Sequence, residues 1–342
     1  YYQNTYRKTI KQTAVFGELT YNLTDDWSVT AGSRWFEYDR NEFDKYEVPE
    51  GLGVFGSHGT GGINVSQGKS DDIVLKFASQ YNVDDDRMMY FLYSEGFRLG
   101  GNNNARAAST GQIPLAYGPD SLSNYELGMK TQWAGNSLLV NGALFYQDYQ
   151  DFQLNTFTGL QFVVTSVPQV ISQGVDLDML WYTPIRQLSL QGGIAYAETT
   201  IEDFGAALVF FRPERQDDTL SFAPELSASL SATFEQPVGN GYLFRSNIGA
   251  KYTSEYNTGS NLDPRKIQDA LTLLNGRVGF GSQDEKWMIE LWALNLTDEE
   301  YYQVAFDATL QGSSSGGTAS SSTLNAFLGA PRTYGLTARF KF

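Results

Sequence analysis

The sequence predicts an all-β chain forming the wall of a transmembrane antiparallel β-barrel. Three observations predict it. Apolar residues recur at every second position in segment after segment, which gives a strand one greasy and one wet side. The segments run about 10–15 residues, twice the usual strand of about 5–6 and enough to cross a bilayer, which takes about 9–11 residues at a tilt. Short and long connections alternate along the chain, as in a barrel with short periplasmic turns and long extracellular loops.

About thirteen strands follow in order. The first two, 9–23 and 27–39, meet at "TDD" (24–26), and "WSVTAGSRW" puts Trp27, Val29, Ala31 and Trp35 on one side. Strands 71–83 and 87–97 flank "DDD" (84–86), with Ile73, Leu75, Phe77, Tyr81 and Val83 opposite Val74, Lys76, Ala78, Gln80 and Asn82. Strands 123–133 and 137–154 flank "AGN" (134–136), the first sorting Tyr125, Leu127, Met129 and Trp133 from Asn124, Glu126, Lys130 and Gln132. Strands 170–183 and 188–200 flank "PIRQ" (184–187). Next, 226–235 and 242–254 flank "QPVGNG" (236–241), where Leu226, Ala228, Leu230, Ala232 and Phe234 oppose a run of serines and a threonine. Strands 269–280 and 287–296 flank "GSQDE" (281–285), and 331–342 closes the series. In that terminal strand Tyr334, Leu336, Ala338, Phe340 and Phe342 share the lipid-facing side, while Arg339 and Lys341 face the wet interior. The other joints are long: 40–70, 98–122, 155–169, 201–225, 255–268 and 297–330. A soluble sandwich has no reason to gather every short turn at one end.

Composition agrees. Aromatics reach 14%, and Trp27, Trp133, Trp181 and Trp287 all lie within three residues of a short turn, as an aromatic girdle at a membrane interface requires. There are no cysteines, so neither disulfides nor cysteine metal sites arise. A net charge of −15 argues against a nucleic-acid surface. No apolar run approaches a transmembrane helix, and the opening "YYQNTYRKTI" reads as the middle of a domain rather than a signal peptide.

Several segments resemble one family, the TonB-dependent outer-membrane receptors. "YFLYSEGFRLGGNN" (Tyr90 to Asn103) is similar to their strand-and-loop signature. "SNYELGMKTQW", "VNGALFYQDYQDFQL", "ISQGVDLDMLW" and "LNLTDEEYY" follow in the family's order. The terminal strand also resembles the C-terminal signal read by the outer-membrane assembly machinery. The resemblance implies a 22-stranded barrel with a plugged lumen, of which residues 1–342 are the C-terminal portion, the plug and first strands being absent. An odd number of strands cannot close as an antiparallel barrel, which fits a piece of a longer wall. It further implies a place in the outer membrane of a Gram-negative bacterium, contact with its lipid and lipopolysaccharide, and coupling to the TonB complex through the missing plug segment. The implied function is uptake of a scarce nutrient complex, a ferric siderophore by default, with vitamin B12, other metal chelates or glycans as alternatives. No enzyme activity, cofactor or resident metal is expected.

Motifs with other chemistry read blandly. "GSSSG" (312–316) has the spacing of a hydrolase elbow but sits in a low-complexity loop, and the single histidine, His58, lies in another. "QGKS" (67–70) lacks the phosphate-loop glycine, since position 63 is Ile63. "DDD" (84–86) and "DEE" (298–300) lack calcium-loop spacing. Binding is the remaining chemistry. Arg98, Asn102, Asn103, Asn104 and Arg106 lie in one long loop. Phe210, Phe211, Arg212 and Arg215 lie in a second, and Tyr301, Tyr302 and Phe306 in a third. Arginines, amides and aromatics at a barrel mouth suit an anionic, partly aromatic or sugar-like ligand. Arg98 and the asparagines also belong to the family signature, which leaves a structural role open to them. A passive porin-like channel, with an inward loop lined by opposed charges, and an adhesin with a filled lumen are the rival readings.

Overall fold

The computed structural model describes residues 3–47, 62–104, 108, 113–157, 162–205, 219–308 and 323–341. Its strands are β1 (Gln3–Asn22), β2 (Trp27–Glu47), β3 (Gly62–Asp84), β4 (Arg87–Arg98), β5 (Gly101–Asn102), β6 (Ala116–Tyr117) and β7 (Asp120–Trp133). They continue as β8 (Leu138–Phe157), β9 (Phe162–Tyr182), β10 (Leu188–Asp203), β11 (Leu226–Val238), β12 (Tyr242–Thr253) and β13 (Tyr256–Asn257). The last are β14 (Ile267–Gln268), β15 (Leu271–Ser282), β16 (Trp287–Leu294), β17 (Tyr302–Asp307), β18 (Leu324–Leu328) and β19 (Thr333–Phe340).

Thirteen of these form one antiparallel meander in the order β1-β2-β3-β4-β7-β8-β9-β10-β11-β12-β15-β16-β19. Each is one of the strands the alternation predicts. The remaining six make three two-stranded sheets, β5-β6, β13-β14 and β17-β18, inside the long connections. Among the described residues, β1 and β19 each pair on one side only, so the wall has two open edges. Open edges expose a row of unpaired backbone groups, which lipid cannot satisfy.

Register makes the two faces continuous. Residues directly opposite in an antiparallel pair share a face. One row therefore runs Phe91–Leu127–Leu144–Val175–Tyr196 across β4 to β10. Another runs Trp35–Ile73 across β2 and β3, and Ile289–Ala338 and Leu291–Leu336 finish the belt at β19. Phe91, Leu127, Leu144, Ile289 and Leu336 are all exposed, as lipid-facing residues are. The other face is polar: Lys76, Ser94, Asn124, Gln147, Ser172 and Thr199 stand opposite one another across β3, β4, β7, β8, β9 and β10. The Asn124 oxygen accepts from Gln147 Nε2 at 3.2 Å, and the Ser172 and Thr199 hydroxyls lie 2.7 Å apart.

Two cross-strand glycines fit aromatic rings onto this polar face. Tyr90 lies over Gly128, and the Trp292 ring over Gly335, so tightly that a Cβ at either glycine would overlap the ring. Tyr90 donates to Glu126, and Trp292 Nε1 donates to the Thr337 hydroxyl at 3.1 Å.

The structure departs from the predicted strand ends at the loop side. The joint 40–70 is mostly strand, since β2 and β3 stay paired to Tyr46 and Gly62. Likewise β8 and β9 stay paired to Phe157 and Phe162, well inside the predicted loop 155–169. Proline lacks a ladder donor, and Pro168 interrupts the pairing opposite Asp151, whose φ is 55°. Pairing resumes beyond it at Phe152 and Val167. "QGKS" lies inside β3, a strand that can form no phosphate loop. His58 and "GSSSG" lie outside the described residues.

The buried core sits in this loop-side extension. Leu154, Val167, Val170, Ile201, Phe204 and Leu262 pack together, with Tyr149, Phe152 and Leu220 against them. A hollow wall has no interior of its own, so burial comes only where the long connections fold over it.

Candidate functional site

The loop-side mouth holds every described candidate for binding. On β2 the residues Phe36, Tyr38, Arg40, Glu42 and Asp44 are buried in strict alternation, on the face opposite the lipid-facing Trp35. Against them lie Phe97 at the end of β4 and, from the described part of the next connection, Asn102, Asn103, Asn104 and Pro119. Phe97 stacks on Phe36 with ring centroids 3.9 Å apart, and Tyr117 reaches Gly101. Burial, with Glu42 nearby, raises the Tyr117 hydroxyl above its usual range.

Arg98 is held fast. Its backbone N–H donates to Asp120 Oδ1 at 3.0 Å, its Nε to Oδ2 at 2.7 Å, and Nη2 pairs with the same oxygen. Its guanidinium carbon lies 4.6 Å from the centre of the Phe152 ring. Asp120 is buried, and it also accepts from the Gln153 N–H at 3.1 Å. One carboxylate thereby ties β4, β7 and β8 together where the wall ends.

Asn103 is a second tie. Its amide nitrogen donates to Pro114 O at 2.8 Å and Val164 O at 2.7 Å, while its oxygen accepts from the Val164 N–H at 2.7 Å. The edge of β9 is thus clamped to the loop. Asn102, Asn103 and Asn104 line a cavity of about 80 Å³ with Tyr6, Glu42, Asp44 and Asn64. In it the nitrogen and oxygen of the Asn102 amide are buried without a hydrogen-bond partner. Glu42, 3% exposed, has Lys8 Nζ at 3.2 Å and Arg40 Nε at 3.7 Å. A pocket of that volume has room for about two waters, which would satisfy the orphaned groups.

The third loop lies apart from these two ties. Tyr301 packs its ring on Gly329, and Tyr302, 45% exposed, sits where its backbone N–H donates to Gln268 Oε1 at 2.7 Å. Beneath them a buried polar knot joins two loops. Lys266 Nζ donates to Asn261 Oδ1 at 2.9 Å and lies 3.3 Å from Asp307 Oδ1. Phe306 meets Phe157 edge-on at 5.7 Å, and the Phe157 N–H donates to Ser260 Oγ at 3.1 Å. So the loops around 255–268 and 297–330 are braced on the β8–β9 hairpin. Arg106, Phe210, Phe211, Arg212 and Arg215 lie outside the described residues.

Sequence reasoning missed Asp120, Gln153, Glu42 and the Lys266–Asp307 pair. Asp120 closes the turn-like "GPD", a local signal, but its partner Arg98 is 22 positions away. Nothing local marks the others.

A protein-family model described as "TonB dependent receptor-like, beta-barrel" matches residues 1–296. The pesticin receptor of Yersinia pestis is 25% identical over 203 residues, covering 58% of this chain and 28% of the relative. Its counterpart from Yersinia enterocolitica is 26% identical over 204 residues with the same coverage. Among solved structures, the ferric yersiniabactin uptake receptor FyuA from Yersinia pestis superposes with a TM-score of 0.76 at 18% identity, covering all of this chain and 47% of that one. The ferric-catecholate import receptor Fiu from E. coli K12, in its closed form, gives 0.71 at 16% identity, over 98% and 45%. At such identity the structural likeness speaks for the fold. The chain spans less than half the length of each of these relatives.

Proposed function

Because the chain belongs to the TonB-dependent receptor-like β-barrel family, a family of Gram-negative outer-membrane receptors, we propose that it is the C-terminal portion of the barrel of an active importer. In this reading a plug and further strands precede it and bridge the two open edges of the wall. The cargo is a scarce nutrient complex, a ferric siderophore first, and the TonB complex energises its passage through the plug segment. Several structural neighbours are receptors for siderophores or ferric chelates, which supports that cargo.

The observation that carries the reading is the braced mouth. A passive pore needs open loops or one constriction, whereas here the connections are tied to each other and to the wall by buried polar contacts. Ordered loops reduce the entropy lost on gripping a ligand. Within this proposal Arg98 and Asn103 hold the mouth in shape, and Asn102 lines the small cavity beside them. Exposed Tyr302 addresses the cargo together with Asn104, Tyr301, Arg106, Phe210, Phe211 and Arg212. Arginines at 106 and 212 suit an anionic chelate, and the aromatic residues suit its ring systems.

The test is uptake of radioiron by cells that lack their own siderophore receptors and express the intact gene. A panel of ferric chelates, catecholates included, is compared with and without TonB. Accumulation that depends on TonB for one chelate supports the reading. TonB-independent entry of unrelated solutes of similar size would replace it with a passive channel.

A further inference from the structure

In the polar knot between the 255–268 and 297–330 connections, three buried side chains close a triangle. Lys266 Nζ donates to Asn261 Oδ1 at 2.9 Å and lies 3.3 Å from Asp307 Oδ1, while Asn261 Nδ2 donates to Asp307 Oδ2 at 3.4 Å. Lysine is almost never fully buried, and Lys266 is the one buried lysine among the described residues. The chain makes room for it, since a Cβ at Gly259 would lie 2.2 Å from Lys266 Cδ. The backbone around the triangle is fixed as well. Buried Thr258 donates from Oγ1 to Lys266 O at 2.6 Å and accepts from the Ala305 N–H at 3.0 Å, which holds β17, ending in Asp307, against the other connection. Leu262, next to Asn261, takes a φ of 54°, a conformation costly for leucine and kept only where its surroundings impose it.

Bracing alone needs an amine and a carboxylate, with no carboxamide bound to both. The third member adds chemistry: a nucleophile, an acyl carbon and a proton carrier, shut away from water. We propose that Lys266 and Asn261 join in an intramolecular amide bond, with Asp307 carrying the protons. The bond from Lys266 Nζ to Asn261 Cγ forms, and the Cγ–Nδ2 bond of Asn261 breaks. Lys266 enters as an ammonium with three protons and ends as an amide N–H with one. Asp307 relays one of the other two to Asn261 Nδ2, which leaves as ammonia. It keeps the second and donates it to the new amide oxygen. Charge and atoms balance, and no further reactant enters. Groups held in contact react as though at very high concentration, and a proton carrier must reach both ends of its transfer. Asp307 does so with one oxygen toward each nitrogen. The product also removes a buried charge pair, whose desolvation is costly. The bond closes a ring over residues 261–266, around the 3₁₀ turn Pro264–Lys266, and is independent of the cargo.

Mass spectrometry of the intact receptor, purified folded from outer membranes and then denatured and digested with trypsin, tests it. Residues 252–277, which end at Arg277 and follow Lys251, are expected as one species joined through Asn261 and Lys266, lacking one ammonia, about 17 Da. Lys266 is expected to resist both trypsin and an amine-reactive label. Asp307→Asn, checked for folding by heat-modifiable gel mobility, is expected to keep the ammonia and to be cut at Lys266. Should that variant fail to fold, the wild-type receptor is refolded from urea into micelles, and the loss is expected to appear only after refolding. An unmodified fragment from the folded wild-type receptor overturns the proposal. So does loss of ammonia from Asn261 alone with Lys266 still reactive, which marks a cyclic imide. A loss of water, about 18 Da, that joins Lys266 to Asp307 overturns the assigned roles, as does a bond formed equally well in Asp307→Asn or before refolding.

Discussion

Removing the Glu290 carboxylate should unfasten the terminal strand. Glu290 sits on the polar face of β16, directly opposite Gly279 on β15 and Thr337 on β19. Gly279 leaves room for its side chain, since a Cβ there would lie 3.1 Å from Glu290 Cγ. The carboxylate is 3% exposed and meets Arg277 Nη1 at 3.5 Å and Arg339 Nη1 at 3.2 Å, each one step along the neighbouring strand. One charge therefore links three strands, the last being β19. Breaking a fully buried pair costs about 3–5 kcal/mol because the survivor is left unpaired in low dielectric. Here the survivors are guanidiniums 46% and 60% exposed, which water can reclaim, and exposed pairs contribute only about 0–1 kcal/mol. The expected cost of Glu290→Ala is then intermediate, about 1–3 kcal/mol. Glu290→Gln, which keeps the shape and one acceptor, should cost about 1 kcal/mol. Urea unfolding of the intact receptor in micelles, followed by loss of heat-modifiable mobility, reads the difference. The cycle of Glu290→Ala, Arg339→Met and the double variant should give a coupling of about 1 kcal/mol. Strict additivity, or no loss of stability on Glu290→Gln, would refute the argument that charge rather than shape does the fastening.

Three further outcomes follow from the same contacts. Gly335→Ala should drive the Trp292 ring off its seat and break its bond to Thr337, costing about 1–3 kcal/mol as overpacking does; a shifted tryptophan emission band in the folded receptor checks it, and an unchanged band counts against it. Asn103→Ala deletes three hydrogen bonds between the loop and β9, at about 1 kcal/mol each. Amide exchange in residues 162–166 should accelerate while the wall strands stay protected. At the turn end, hydrogen bonding and charge from Lys341, then the charge of Arg245, hold the Glu285 carboxyl below its ordinary 4.5. A lowered carboxyl contributes stability above its unfolded value and loses it as pH falls through the folded one. Contact between the last strand and the 283–286 turn should therefore loosen only below about pH 4.5, and Lys341→Met should move that loosening to higher pH, as read by exchange of the backbone amide at position 341.

The wall was legible because a membrane barrel forces the period of two onto every strand. Each face has a single solvent, lipid or water, so the side of Trp27, Phe77, Leu127 or Leu336 could be assigned from its neighbours alone. That reasoning stops where the lipid stops. Along "FEYDRNEFD" the buried set is Phe36, Tyr38, Arg40, Glu42 and Asp44, and it mixes charges with aromatics because a loop, not lipid, covers it. Alternation of burial survives there while alternation of polarity does not, so β2 and β3 looked shorter than they are. The short pairs β5-β6 and β13-β14 contribute two residues per strand, too few for any period to show.

The candidate site was harder for a related reason. Residue type at a barrel mouth points to binding, but whether a side chain grips the cargo or the protein depends on partners far along the chain. Arg98 finds Asp120, and Asn103 finds Val164, 61 positions on. Both carry the chemistry expected of ligand-binding groups, yet the loop takes up most of it. An arginine whose Nε and Nη2 already meet a buried carboxylate oxygen has less left to offer an anionic chelate. In the importer proposed above, contacts to the cargo would have to come from groups that the frame does not claim, and among the described candidates Tyr302 is one such group.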